Sequence, residues 1–155
     1  PGLSFNLPDK GRKEGSVGKL MIGIEGRTID PDSGVPLEEN DSGILCFRGP
    51  NIFARYLNNN KKTKEVLSRD GWFITGDLGR IDKDGFLFIE GRLSRFSKIG
   101  GEMVSHESVE VLINQVLGGE DNEKPVCVVT GMADKVKGEC LILLTTKQVD
   151  KKVLA

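Results

Sequence analysis

Long apolar runs are missing from this sequence, and so is any strong excess of charge. No stretch approaches the roughly 20 apolar residues of a helical membrane span, and the first residues lack the basic and apolar regions of a signal peptide. Lysine and arginine number 22 against 23 aspartates and glutamates, so a net charge of −1 gives no global reason to expect nucleic acid or an anionic surface as partner. Local patches remain open. Cysteine is sparse: Cys46, Cys127 and Cys140 are odd in number and far apart, without a neighbour at zinc-site spacing. They read as buried small hydrophobes in a reducing compartment, and no metal site is expected. His106 is the only histidine. With no acid or nucleophile placed beside it, it reads as exposed on a first helical turn rather than as a general base. Gly15-Ser-Val-Gly-Lys19 is no phosphate loop, because Lys13 and Leu20 stand where such a loop needs glycine and a hydroxyl.

What is present is glycine, 20 among 155 residues, about twice the usual share of roughly 7%. That composition, with 37% hydrophobic and 29% charged residues, favours a globular chain of turns and short strands. Residues 17–24 and 27–29 read as strands, the second closed by the turn Pro31-Asp-Ser-Gly34. An apolar strand over 43–48 stops at Gly49-Pro50, and residues 58–67 form a short helix with an Asn cap and solvated lysines. Strands 77–82 and 86–92 make a hairpin around Lys83-Asp84-Gly85, the Asp-Gly that reversing strands favour. Beyond it, residues 95–99 and 102–104 form a ribbon around Gly100-Gly101. Ser105 then caps a helix whose buried face is Val109, Leu112, Ile113, Val116 and Leu117, stopped by Gly118-Gly119. Two strands follow, 125–130 and 139–146, joined by a polar connection over 132–138.

The expected fold class is α+β: a β-rich, barrel-like subdomain of short antiparallel strands over 1–92, followed by a small, truncated α+β domain over 93–155. The abrupt start at Pro1 and the helix-like residues 150–154 at the end read as a piece of something larger.

The 77–92 hairpin carries the most suggestive chemistry. Asp77 is an acceptor-only carboxylate suited to the paired hydroxyls of a ribose, and Arg92 is a permanent planar cation suited to phosphate or carboxylate. Taken alone, an Asp after Gly is as well a turn residue, and an Arg at a strand end as well a surface ion pair.

A resemblance adds to this. The run Trp72-Phe-Ile-Thr-Gly-Asp77 through Gly85-Phe-Leu-Phe-Ile-Glu-Gly-Arg92 resembles the adenylate-forming acyl ligases. Matches upstream in Gly15-Ser-Val-Gly-Lys19 and in residues 48–59, and downstream in residues 98–105, extend it over nearly the whole chain. The resemblance implies that a carboxylic acid is activated by ATP, with Mg2+, to an acyl-adenylate and then passed to a thiol. It gives Asp77 a ribose contact, Arg92 a ribose and phosphate contact, Ser94 the hinge position, and Lys98, Gly100 and Gly101 a thiol-acceptor loop. Lys98-Ile-Gly-Gly-Glu-Met-Val-Ser105 is similar to the acyl-[acyl-carrier-protein] synthetase part of bacterial 2-acylglycerophosphoethanolamine acyltransferases. That implies fatty acid, acyl carrier protein and lysophospholipid as partners, no nucleic acid, and a cytoplasmic parent associated with the inner membrane. The nearer alternative is a fatty acyl-CoA synthetase; the alternative of another class is a non-catalytic module binding carrier protein through Arg92, Arg95 and Lys98. The phosphate-holding loop and the adenylating lysine of the family have no counterpart in the sequence. No catalytic residue is therefore assigned, no tightly bound cofactor is expected, and the chain by itself is expected to be inactive.

Overall fold

A computed structural model describes residues 2–8, 11–117, 125–146 and 148. Its elements in chain order are β1 (Ser4–Phe5), β2 (Lys19–Leu20), β3 (Glu25–Ile29), β4 (Gly43–Arg48), α1 (Asn60–Val66), β5 (Phe73–Ile81), β6 (Leu87–Arg92), a 3-10 turn (Leu93–Arg95), β7 (Phe96–Ile99), β8 (Glu102–Ser105), α2 (His106–Leu117), β9 (Cys127–Asp134) and β10 (Gly138–Thr145). Among the described residues the fold is α+β, with antiparallel sheets and two α-helices. It divides into two compact units, Pro1–Leu93 and Ser94–Ala155.

In the first unit β3, β4, β5 and β6 lie side by side as an antiparallel sheet. Strand β4 is buried on both faces, as its apolar run Ile44-Leu-Cys-Phe47 requires. Leu45 and Phe47 point to one side and pack with Leu87, Leu3, Leu20, Ile24, Ile52 and Ile81. The β1–β2 ribbon lies against the start of β6 through Val17 N–H to Leu87 C=O (2.8 Å) and Leu87 N–H to Gly18 C=O (2.9 Å). The Leu20 side chain reaches Gly26 of β3 from the other end, so the sheet curls around its core.

Residues 17–24 are not the continuous strand expected. Gly18 takes a left-handed φ of 98°, Gly23 one of 84°, and only Lys19–Leu20 pair between them. At Gly18 the approach is closer than any side chain permits, since a Cβ there would sit 2.1 Å from the Phe5 carbonyl carbon.

The helix α1 starts where the Asn cap was expected: the Asn59 side chain accepts from Lys62 N–H at 2.9 Å. The 83–85 turn is closed by Asp82, whose Oδ1 accepts from Asp84 and Phe86 N–H, both at 2.9 Å, and whose other oxygen meets Lys13. Cys46 and Cys127 are buried and all three cysteines are free. Burial pushes the Cys46 thiol up to about 11, against a smaller opposing effect of Arg27.

In the second unit the order is β8-β7-β10-β9, with α2 packed on β9. The connection expected over 132–138 is shorter than expected. β9 continues to Asp134, and Asp134 Oδ1 takes the N–H groups of Val136 (2.9 Å) and Lys137 (2.8 Å) to close a tight turn. Gly118, Gly119 and residues 150–154 lie outside the described residues.

The buried face of α2 also differs from the apolar spacing. Leu112 and Val116 are exposed, and the inward positions go to His106, Val109, Glu110, Ile113, Asn114 and Leu117. Three of these are polar at i, i+4 and i+8, and each has a partner: Ser97 Oγ for His106 (2.8 Å), Arg95 and Val129 N–H for Glu110 (2.6 Å each), Val126 N–H for Asn114 (3.0 Å). Satisfied polar groups can be buried, and here they set the rotation of the helix.

Candidate functional site

The open end of the β5–β6 hairpin is shaped by two irregularities. Along β4 and β5 the register passes from Ile44↔Leu78 to Cys46↔Ile74, so Thr75, Gly76 and Asp77 stand opposite Leu45 alone. Thr75 repairs the interrupted ladder. Its hydroxyl donates to Leu45 C=O and accepts from Asp77 N–H, each at 2.9 Å, while Gly76 takes the left-handed φ of 75° that the excursion needs.

On the other side, Gly79 pairs with Ile89 but Leu78 with Gly91, so Glu90 is one residue extra in β6. That bulge moves Arg92 into register with Asp77. Without it, Gly91 would face the carboxylate, because the unshifted register continues one residue earlier.

Asp77 and Arg92 meet directly, Arg92 Nε to Asp77 Oδ1 at 2.7 Å, and Arg92 Nη1 also donates to Thr75 C=O at 3.3 Å. The carboxylate is 27% exposed and the guanidinium 63%. An ion pair this open contributes little to stability, about 0 to 1 kcal/mol. It leaves an acceptor and a forked donor at the surface, held by backbone geometry, where a ligand offering hydroxyls and a phosphate can replace or extend the pairing.

The remaining sequence-derived residues lie in the second unit. Ser94 is exposed in the Leu93–Arg95 turn. Gly100 and Gly101 form the two-residue tip between β7 and β8, with φ of 59° and 97°, closed by the Ile99↔Glu102 pair. A Cβ at either would meet nothing within 4 Å, so the conformation and not the space requires glycine. Lys98 is exposed on β7, its N–H donating to Glu139 Oε2 at 2.5 Å. Thus Asp77 and Arg92 are brought together in one unit, and Lys98, Gly100 and Gly101 in the other. Among the described residues no group of three or more His, Cys, Asp or Glu is placed to hold a metal ion.

Two features escaped the sequence reading. Thr75 is the first; its only signal was the Thr-x-Asp spacing, which suits a local hydroxyl-to-backbone bond. The second is the root of the ribbon, where the Arg95 guanidinium donates to both Glu110 oxygens (2.6 Å) and to Val129 C=O (3.1 Å). Burial opposes ionisation of Glu110, but Arg95 and the Val129 N–H outweigh it and hold the carboxyl below its usual range.

His106 belongs to this second feature and is a correction, being 3% exposed rather than at the surface. Burial first, then Arg95, lowers its pKa from 6.5, with Glu110 and Glu139 opposing. The unfolded chain therefore takes up a proton near pH 6.5 that the folded chain resists, and stability falls as pH drops through that value towards the lowered one. Melting of the chain from pH 7.5 to 5 is expected to show this loss, and His106→Gln to flatten it. Parallel pH profiles for the two proteins would refute the assignment.

No family model matches the chain. Among curated proteins, 4-coumarate–CoA ligase 1 of Arabidopsis thaliana is 36% identical over 141 residues, covering 91% of this chain and 24% of the relative. Peroxisomal OPC-8:0-CoA ligase 1 of the same plant is 38% identical over 112 residues, 72% of this chain and 20% of the relative. Among solved structures, ATP-bound MatB from Rhodopseudomonas palustris matches 96% of this chain with 29% of its own, at TM-score 0.71 and 31% identity. By sequence and fold, the chain belongs to the adenylate-forming superfamily of acyl- and aryl-CoA ligases. O-succinylbenzoate CoA synthetase from Bacillus subtilis, solved with its acyl-adenylate, also matches this ligase-like chain, at TM-score 0.65, 28% identity, 90% of this chain and 28% of the other. The chain spans about a fifth to a quarter of the length of the curated ligases it matches.

Proposed function

We propose that the chain supplies the nucleotide-edge hairpin and the acceptor-side ribbon of an ATP-dependent acyl ligase. In this reading Asp77 accepts hydrogen bonds from the ribose hydroxyls, and Arg92 turns from the carboxylate towards ribose and phosphate. Thr75 keeps the bulge in shape. ATP, with Mg2+ on its phosphates, supplies the activation, and the residues described here bind and orient the adenylate. Ser94 serves as the pivot, and the Lys98, Gly100, Gly101 tip approaches the thiol. The observation carrying this reading is the Asp77–Arg92 pair at an open hairpin end, made by two bulges.

Titration of the 155-residue chain with AMP is expected to shift the amide resonances of Thr75, Gly76, Asp77 and Arg92, and Asp77→Ala to abolish those shifts. In the complete ligase the same substitution is expected to slow adenylate formation by about 100-fold, the scale of a lost positioning contact. Millimolar AMP leaving the hairpin end unperturbed would remove the basis of the assignment. The chain alone is expected to catalyse no ATP–pyrophosphate exchange.

For the acceptor, two thiols are in play. The curated relatives carry CoA in their names, which supports CoA; the resemblance of residues 98–105 supports acyl carrier protein, with a fatty acid as substrate and a lysophospholipid as final acceptor in a parent at the inner membrane. Thioester formation by the complete ligase with CoA and with holo acyl carrier protein, compared at equal concentration, separates them.

A further inference from the structure

Residues 53–70 concentrate charge of one sign in a chain that is nearly neutral overall. Five cations, Arg55, Lys61, Lys62, Lys64 and Arg69, stand against Glu65 and Asp70, and all seven are exposed. Lys62 pairs with Glu65 at 3.3 Å. Arg55, Lys61, Lys64 and Arg69 enter no ion pair among the described residues. Lys61 and Lys64 are neighbours three apart on α1, beside the turn that leads into the helix.

That turn displays Leu57, 87% exposed. A single exposed leucine is ordinary, but this one is held out by built structure. Asn58 takes a left-handed φ of 52°, Tyr56 N–H donates to Thr63 Oγ1 at 3.0 Å, and the Tyr56 ring lies tilted by 52° against Phe53, which packs edge-on against Phe73 (centroids 4.9 and 5.1 Å). The aromatic cluster anchors the turn from beneath and leaves its apolar tip in water beside unpaired lysines.

We propose that this face docks on an anionic lipid surface, with Leu57 entering the headgroup boundary and Lys61 and Lys64 meeting lipid phosphates. Arg55 and Arg69 add to the local positive field. A fluid bilayer fits the chemistry better than an acidic protein does, because a lone protruding leucine between long rotatable cations needs no matching pocket or register. Attachment at a membrane surface is strengthened when buried apolar area and attraction to anionic lipid act together, and this turn carries both.

The test is co-sedimentation of the 155-residue chain with vesicles of phosphatidylcholine alone and of phosphatidylcholine containing about one-third phosphatidylglycerol. Binding is expected only to the anionic vesicles, and added salt should release it, because exposed charges are screened within roughly 10 Å at 0.1 M. The double variant Lys61→Glu, Lys64→Glu is expected to lower the partition coefficient at least ~10-fold, and Leu57→Ser roughly threefold or more. All three positions are exposed, so unchanged thermal melting of the variants verifies that folding is intact. Failure to bind anionic vesicles, equal binding to neutral ones, or binding indifferent to the lysine reversals would overturn the proposal. So would a Leu57→Ser variant that binds as well as the parent and is displaced from vesicles by soluble polyglutamate, the behaviour of a site for acidic polymers.

Discussion

Gly79→Ala is expected to cost the first unit about 3 kcal/mol or more of stability, the upper range for forcing atoms into a packed site. A Cβ at this position would stand 2.1 Å from the Phe88 carbonyl oxygen and 2.9 Å from Leu45 Cδ1. Neither neighbour can yield cheaply. Phe88 is backbone in the adjacent strand β6, and Leu45 is nearly fully buried in the core. The added methyl therefore separates β5 from β6 next to the bulge that sets Arg92 opposite Asp77, and the Asp77–Arg92 pair should be lost with the strand pairing. Gly76→Ala is the matched control. Its Cβ would meet nothing within 4 Å, so it faces only the strain of a left-handed φ, about 1 kcal/mol. Urea unfolding followed by the fluorescence of Trp72, buried against Arg27 and Arg48, measures both. Equal midpoints for the two variants, or the reverse order, would contradict the placement of Gly79.

In the second unit the largest effect is expected from Glu110→Ala. The change removes two bonds from Arg95 and one from Val129 N–H, all at 2.6 Å. It also leaves a half-buried guanidinium without its counter-charge. Losing one partner of a buried pair costs about 3 to 5 kcal/mol; Arg95 keeps some solvent, so about 2 to 3 kcal/mol is expected here. The Glu110 carboxylate and Arg95 together take the N–H and C=O of Val129 in β9, the outermost strand of its sheet. They do for that edge what a neighbouring strand would do. Amide exchange at Val129 should accelerate more than at Leu45, which lies in the other unit. Glu110→Gln keeps one acceptor and should fall between the parent and the alanine variant. A Glu110→Ala protein with parental stability and unchanged exchange in β9 would show that the pair is dispensable.

Much of the local structure was readable because its causes are local. Asp-Gly at 84–85 fixes a reversal, Asn59 caps α1 with its own side chain, and Gly100-Gly101 can form a two-residue tip whatever surrounds it. The α+β class and the antiparallel order followed from short apolar strands broken by turns. The errors share a different cause. The apolar spacing put Leu112 and Val116 inside, and it read residues 17–24 as unbroken strand. In both places the outcome depended on distant partners, Ser97, Arg95 and Val129 for α2, and the Phe5 backbone for Gly18. A period counts apolar residues. It does not see that His106, Glu110 and Asn114 each find a partner that removes the penalty of burying them.

The candidate site divides along the same line. Sequence by itself determined which groups are available, a carboxylate at 77, a guanidinium at 92 and a glycine tip at 100–101, because side-chain chemistry and turn preference belong to the residue. Only the tertiary structure decided that Asp77 and Arg92 face each other. Two bulges, one at Thr75-Gly76 and one at Glu90, shift the register on both sides of β5. A one-residue slip in a strand moves every later side chain to a new neighbour, and whether a bulge is tolerated depends on what the next strand offers: here the Leu45 carbonyl that Thr75 can satisfy.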